Sequence, residues 1–232
     1  MASRPGEALA ARPLHFIWIL DCSGSMEAGG KIQALNNAIH ESIPHMKAAA
    51  SENANAQLLV RVVKFSAGAQ WHLSQPTPVE TFTWTDLTAG GETDMGKALR
   101  LVADALKMPP MPERALPPVL ALVSDGQPTD DFGAGLKALN EQPWAKKAVR
   151  IAIAIGEDAD YDILQRFIGN PEIKVLPANS PDKLTERIRW VSTQVVRAAS
   201  APPSQAKGPS SGGGTPIPVP TSTPGDVGDD VW

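Results

Sequence analysis

Residues 16–26 read FIWILDCSGSM. They belong to an apolar run at residues 14–20 that is too short for a helix, and this predicts a strand buried within a sheet. The run stops at Asp21, and small or polar residues follow it as far as Ser25. We expect Gly24 to let this loop turn back on itself at the carboxyl end of the strand.

Apolar runs and amphipathic stretches alternate along the rest of the chain. The other predicted strands span residues 58–65, 119–123, 149–155 and 173–176, and the predicted helices span 31–50, 94–107, 132–140, 161–168 and 181–199. This alternation is typical of a Rossmann-like α/β fold, with a mainly parallel central sheet and helices on both faces. Only three residues separate the second strand from residues 69–84, which leaves no room for a crossover helix. That segment is predicted to be an antiparallel strand at the sheet edge.

Composition predicts where the domain ends. Residues 201–225 contain seven prolines and five glycines, and so cannot pack a core. We expect a flexible N-terminus at residues 1–12, one domain at 13–199, and a disordered tail at 200–232 that closes in an acidic motif. Within that motif the candidate partner-binding residues are Asp229, Asp230, Val231 and Trp232, because a Trp flanked by acids suits a pocket with a basic rim.

Charge and cysteine content exclude several classes of protein. The net charge is −4, with 21 basic residues against 25 acidic ones, so no positive field exists to hold nucleic acid or an anionic membrane surface. No apolar stretch approaches the ~18 residues of a spanning helix, and the first residues lack a signal-peptide pattern. Cys22 is the one cysteine, which excludes an intrachain disulfide and any multi-cysteine metal site. The expectation is a soluble protein of the cytoplasm.

Three polar loops follow or precede the predicted elements at one edge of the sheet. They supply two carboxylates and three hydroxyls, from Asp21, Ser23, Ser25, Thr93 and Asp125. In open α/β sheets, ligands bind at the carboxyl ends of strands where the strand order reverses, so we expect these side chains to meet in a surface cleft. Hard oxygen ligands are preferred by Mg²⁺ and Mn²⁺, and the five residues therefore predict a site for one such ion. Singly, each also fits a structural role, such as Thr93 at a helix N-cap.

The ordered set resembles the metal-ion-dependent adhesion site of von Willebrand factor A (VWA) domains, in which Asp-x-Ser-x-Ser is followed by a Thr and then an Asp. All five positions are matched, and the resemblance covers roughly residues 13–199. It implies that the serines and the Thr contact the metal while Asp21 and Asp125 act partly through water. It also implies an open coordination position that takes an Asp or Glu carboxylate from a partner protein.

Three stretches, at residues 16–26, 90–99 and 124–131, are similar to cytoplasmic VWA proteins of bacterial tellurium-resistance and stress gene clusters. That resemblance implies an adaptor in a signalling system with Ser/Thr kinases and PP2C-type phosphatases. As an alternative to the Trp anchor, an aspartate of the tail motif binds the metal of the same or a neighbouring molecule.

The sequence fits other classes of function less well. The pattern from Gly91 to Lys97 imitates a phosphate-binding loop, but Ala98 follows where a Ser or Thr should bind magnesium, so we expect Gly96 to lie within a helix instead. A metal-dependent phosphohydrolase of the haloacid-dehalogenase type needs an acid/base Asp where Ser23 stands. The four histidines show no metal-ligand spacing. The protein is thus predicted not to be an enzyme, with a phosphohydrolase or a structural subunit of an AAA+ assembly as alternatives.

Overall fold

A computed structural model describes residues 11–53 and 56–200. Six strands form one sheet in the order β3-β2-β1-β4-β5-β6. Their bounds are β1 Arg12–Asp21, β2 Ala56–Ser66, β3 Gly68–Pro78, β4 Val119–Ser124, β5 Val149–Ile155 and β6 Leu176–Ala178. Neighbouring strands are parallel except β2 and β3, which pair antiparallel at one edge. The predicted fold class is confirmed, and so is the antiparallel edge strand, although this strand ends at Pro78 rather than at residue 84.

Helices cover both faces of the sheet. They are α1 Lys31–Ser51, α2 Met95–Ala105, α3 Phe132–Glu141, α4 Pro143–Lys147, α5 Tyr161–Ile168, α6 Pro181–Trp190 and α7 Val196–Ser200, with a π-helical turn at Val191–Val195 between the last two. One face is packed by α1, α6 and α7, and the other by α2, α3, α4 and α5. Across the described ranges, no helix has both the length and the apolar character needed to cross a membrane.

The central strand β1 is buried on both sides, which explains its uninterrupted apolar sequence. Phe16, Trp18 and Leu20 pack towards α1 and α6, whereas Ile17 and Ile19 pack towards α2 and α5, and all five are fully buried. Burying a side chain of this size contributes about 1.5–3 kcal/mol to stability. The strand is therefore held firmly, and with it the position of Asp21 at its end.

The strand order reverses between β1 and β4. The helix after β1 packs on one face of the sheet and the helix that follows β4 packs on the other. The loops after these two strands therefore lead to opposite faces of the sheet, and such a point at the carboxyl edge is where α/β proteins bind their ligands. Asp21 is the last residue of β1, and Asp125 directly follows β4, so both lie at this point.

Two local predictions were wrong or incomplete. The sixth strand was expected at residues 173–176 but lies at Leu176–Ala178. Val175 is buried, as its apolar character indicated, but it lies in the loop before the strand. The short helix α4 was missed because five residues are too few to show a helical period. The expected N-terminal segment, apart from its last two residues, and the tail motif lie outside the described residues.

Candidate metal site

Asp21 links the loops that follow β1 and β4. Its side chain is fully buried. One carboxylate oxygen, Oδ1, accepts a hydrogen bond from the Ser23 amide at 2.8 Å, and Oδ2 accepts one from the Ser124 hydroxyl at 2.5 Å. Burial raises the pKa of the Asp21 carboxyl to about 6, and the negative charge of Asp125 acts in the same direction.

The serine hydroxyls continue this row of oxygen atoms towards solvent. Ser23 Oγ lies 3.0 Å from Ser25 Oγ, and Ser25 Oγ donates a hydrogen bond to Oδ2 of Asp125. Ser25 is exposed, whereas Ser23 is buried. Four of the five predicted residues are thus joined in one hydrogen-bonded network, in which the Ser23 amide links Asp21 to the row of hydroxyls.

Thr93 is brought to the same edge by backbone hydrogen bonds. The Gly24 amide donates to the Gly91 carbonyl at 2.9 Å, and the Gly90 amide donates to the Cys22 carbonyl at 2.8 Å, so the loop before α2 lies against the loop after β1. The Thr93 amide donates to the Thr129 hydroxyl at 2.9 Å. The Thr93 hydroxyl itself has no hydrogen-bond partner within residues 11–53 and 56–200.

The interpretation of Thr93 as a helix N-cap is wrong. Asp94 occupies the N-cap position of α2, and the first amides of that helix are bound by a residue from another loop. The Asp130 carboxylate accepts from the amides of Gly96 and Lys97, each at 2.8 Å. The same contacts exclude a phosphate-binding loop, because the amides that would hold a phosphate are already used. Gly96 lies inside α2, as expected.

Gly24 acts differently from the expectation. It does not take a positive φ, whereas Gly91 does, at 85°. A Cβ added at Gly24 would lie 3.3 Å from the Gly91 carbonyl oxygen. Gly24 therefore permits the close approach of two loops, and it is Gly91 that makes the left-handed turn.

The expected surface cleft is mostly closed. Asp21 is 0% exposed, Asp125 5% and Thr93 7%, so these three side chains lie beneath the loops and only Ser25 faces solvent. Asp21 is the last residue of a strand covered on both faces, and this is why it is buried. Any ligand that reaches the site from outside must approach over Ser25.

The charges at this edge are unevenly compensated. Asp94 pairs with Lys97 at 2.6 Å, and this hydrogen bond lowers the pKa of the Asp94 carboxyl. Asp21 and Asp125, by contrast, have no Lys, Arg or His as an ion-pair partner among the described residues. Two buried carboxylates without a cation are costly, and a divalent ion would compensate both.

The donor set fits a hard cation held largely by hydroxyls. No group of three or more His, Cys, Asp or Glu side chains gathers anywhere in the described ranges, so carboxylate-rich and histidine-rich metal centres are absent from them. The five residues here offer three neutral hydroxyls and two carboxylates. Oxygen ligands of this type suit Mg²⁺ or Mn²⁺.

Cys22 is not a reactive thiol. Its side chain packs into the core towards α1, and burial raises the pKa of the thiol to about 12. A thiolate is the reactive form of cysteine, and it is not populated at neutral pH in such a position. The acidic run at residues 157–160 ends in a helix cap, because Asp160 accepts from the Ile163 amide at 3.1 Å at the start of α5.

The sequence reasoning missed two residues that organise the site. Ser124 donates to Asp21 and accepts from the Gly126 amide at 2.9 Å, so it fixes both aspartate loops. Asp130 fixes the start of α2 and, through it, the loop of Thr93. Ser124 was detectable, since it is the first polar residue after a buried run. No local signal marks Asp130.

Comparison with known proteins defines the fold. No protein-family model and no curated protein sequence matches the chain. Solved structures do match. A von Willebrand factor type A protein from Catenulispora acidiphila is 20% identical, with a TM-score of 0.62 over 81% of this chain and 43% of that one. The ArnB paralog VWA2 from Sulfolobus acidocaldarius is 19% identical, with a TM-score of 0.57 over 76% of this chain and 44% of that one.

A third similar structure carries a metal. It is proximal thread matrix protein 1 from the mussel byssus with a zinc-occupied MIDAS motif, 18% identical, with a TM-score of 0.57 over 81% of this chain and 46% of that one. The chain spans less than half the length of these three proteins. At such identities the likeness shows the fold, and the chain has the fold of a VWA domain.

Proposed function

We propose that this protein is a divalent-metal-dependent protein-binding module, an adaptor rather than an enzyme. Asp21, Ser23, Ser25, Thr93 and Asp125 hold one Mg²⁺ or Mn²⁺ in this proposal. The observation that carries it is a pair of buried carboxylates, at the ends of β1 and β4, that have no ion-pair partner among the described residues and are joined to a row of hydroxyls. The mussel VWA protein with a metal-occupied motif supports the choice of ligand class.

Each residue has a distinct role. Ser23, Ser25 and Thr93 supply neutral oxygens, while Asp21 and Asp125 orient the hydroxyls and water, as the VWA resemblance implies. When bound, the ion supplies a coordination position with positive charge, which suits a carboxylate oxygen. Because Ser25 is the one exposed member of the set, that carboxylate comes from outside, from an Asp or Glu of a partner protein.

The five site residues do not include the acid/base group that a phosphohydrolase would need. Ser23 occupies the position of the acid/base residue of a phosphohydrolase, and its hydroxyl is engaged with Ser25. The nearby Cys22 thiol is buried with a raised pKa. A bacterial stress or kinase/phosphatase signalling role in the cytoplasm, and a second contact through Asp229, Asp230, Val231 and Trp232, complete the proposal and rest on sequence resemblance and composition.

Metal binding should stabilise the fold. At a free Mg²⁺ or Mn²⁺ concentration about 10 times Kd, linkage predicts a gain of about 1.4 kcal/mol, because the ion binds the folded state alone. For a domain of this size that gain raises Tm by roughly 3–6 °C. The measurement is thermal unfolding in EDTA and in increasing concentrations of each metal.

Ser25→Ala and Thr93→Ala should reduce this gain, since each removes one ligand. Ser51→Ala is the matched control, because Ser51 is an exposed serine at the far end of α1, and its hydroxyl donates to the Ala48 carbonyl at 2.7 Å. An equal metal response in Ser25→Ala and Ser51→Ala would contradict the assignment of Ser25 as a ligand.

Partner binding should depend on the metal. Proteins that the immobilised chain retains in Mg²⁺ should be released by EDTA, and Asp125→Ala should weaken their binding on the order of 10-fold or more because it removes a carboxylate that orients the ligands. Quantification uses the purified retained partner and calorimetric titration with and without EDTA. Binding that survives both EDTA and Asp125→Ala would show that another surface does the recognising.

A further inference from the structure

The loops around the candidate metal site carry negative charge almost exclusively. Residues 22–30, 88–94, 125–131 and 156–160 contain nine acidic residues and no Lys or Arg, although the chain as a whole has a net charge of only −4. The four loops lie at the carboxyl edge of the sheet, and contacts between them show that they adjoin. The acidic character is thus local to one edge of the domain.

Five of these nine carboxylates are already engaged. Asp125 belongs to the site, Asp94 pairs with Lys97, and Asp130, Asp131 and Asp160 accept from amides at the starts of helices. The four that are exposed and have no such structural contact form what we call the acidic rim: Glu27, Glu92, Glu157 and Asp158.

The acidic rim surrounds the approach over Ser25. Glu27 lies two residues beyond Ser25, and its carboxylate would lie 3.6 Å from a Cβ added at Gly90, in the loop of Thr93. Glu92 precedes Thr93 directly. On the other side, the Gln127 side chain donates to the Asp158 carbonyl and the Asp160 amide donates to the Asp125 carbonyl, each at 2.7 Å.

Two lysines, Lys31 and Lys97, reach this edge and offset only part of its nine negative charges. Lys97 is engaged with the buried Asp94 carboxylate at 2.6 Å. Lys31, at the start of α1, extends towards Gly156, where its Nζ would lie 3.0 Å from an added Cβ. A carboxylate that approaches the site therefore meets a negative electrostatic potential, which repels it and slows association. Partners with positive charge beside the carboxylate are favoured.

We propose that the partner segment is basic: one Asp or Glu that reaches the metal, flanked by Lys or Arg residues that face the acidic rim. This inference rests on the proposed function, since it names the partner of that same site. It also disfavours the alternative in which the tail motif binds the metal, because that motif brings three aspartates to an edge that is already negative.

A matched pair of triple variants tests the rim. Glu27→Gln, Glu92→Gln and Glu157→Gln together remove three exposed rim charges, whereas Glu113→Gln, Glu141→Gln and Glu172→Gln remove three exposed charges from the opposite end of the domain. Both triples change the net charge equally and with the same chemistry. None of the six side chains makes a hydrogen bond or ion pair within the described residues, so both variants should fold.

Three synthetic peptides serve as probes for the full-length protein in Mg²⁺ and in EDTA. One has a single Asp flanked by lysines, the second a single Asp flanked by serines and glycines, and the third repeats the first with Asn in place of Asp. Fluorescence anisotropy gives Kd, and stopped-flow mixing gives the association rate, at about 50 mM and about 300 mM salt.

The lysine-flanked Asp peptide should bind on the order of 10-fold tighter than the neutral-flanked one at low salt. The rim triple should remove most of this advantage, mainly through a slower association rate, and the control triple should leave Kd within about twofold. High salt should reduce the difference in Kd between the two Asp peptides, because it screens the charges.

The contrary outcomes separate the two proposals. Equal, EDTA-sensitive binding of both Asp peptides would overturn the basic-partner inference and leave the proposed function standing, and equal losses in the two triples would show that net charge rather than the rim is responsible. Peptide binding that EDTA does not weaken would overturn the proposed function and this inference with it. So would an Asn peptide that binds with the same Kd as its Asp counterpart.

Discussion

In EDTA, the free energy of unfolding of Asp21→Asn should rise relative to that of the wild type by about 1.5 kcal/mol between pH 5 and pH 7.5. The cause is the buried Asp21 carboxyl, whose pKa is raised by burial from 3.8 to about 6. A raised pKa means that the folded state binds more protons than the unfolded state, so stability is lost as pH rises from 3.8 through 6. The full loss is about 3 kcal/mol, of which roughly half falls between pH 5 and 7.5. Denaturant unfolding of both proteins at each pH measures it.

The wild type alone is not a sufficient readout, because His15 titrates in the opposite sense. Burial and the charge of Arg61 lower the pKa of His15 to about 4, so protonation of this residue costs stability as pH falls below 6.5. Comparison of Asp21→Asn with the wild type at each pH cancels the His15 contribution. Metal should act on the same carboxylate: Mg²⁺ at pH 7.5 should stabilise the wild type more than Asp21→Asn. A stability difference that does not change with pH would show that Asp21 is ionised at both pH values, and that burial does not disfavour its charge.

Much of the fold was predictable because its signals are local. The run before Asp21 and the short turn at residues 66–68 each depend on a few consecutive residues, and they predicted the buried central strand and the antiparallel edge. The boundaries of α5 at Tyr161–Ile168 follow from Asp160 before it and Gly169 after it, which cap the two ends.

The interior of the site was less predictable because its contacts join distant parts of the chain. Ser124 bonds Asp21 across 103 positions, and Asp130 bonds the start of α2 across 34. No pattern of neighbouring residues indicates hydrogen bonds between such distant positions. The same holds for burial: the sequence placed Asp21 at the end of a strand, but only the packing of both faces shows that no solvent reaches it. Nor does the sequence indicate that His15 is buried with neither ring nitrogen hydrogen-bonded within the described chain.

Gly135→Ala should destabilise the protein by about 2–4 kcal/mol and should weaken metal binding as well. Gly135 of α3 packs directly against Gly96 of α2, and a Cβ added at Gly135 would lie 2.3 Å from the Gly96 carbonyl oxygen and 2.6 Å from its Cα. Both of these are backbone atoms, so the clash is relieved only if the two helices move apart, at the cost of an overpacked core. Denaturant unfolding measures the first effect, and a Mn²⁺ titration followed by calorimetry measures the second.

Metal binding should weaken because the loops before these two helices each supply one residue of the site. Thr93 precedes α2 and Asp125 precedes α3, and the bond from the Thr93 amide to the Thr129 hydroxyl and those from Asp130 to the amides of α2 hold the halves in register. Gly133→Ala is the control in the same helix, because a Cβ there would meet its nearest neighbour, Asp131 Oδ1, at an ordinary 3.5 Å. Alanine at position 133 should be neutral or should stabilise α3 by about 0.4–1 kcal/mol. If Gly135→Ala proved as stable as Gly133→Ala, then α2 and α3 could separate without cost, and the register of Thr93 and Asp125 would have to depend on the loop hydrogen bonds alone.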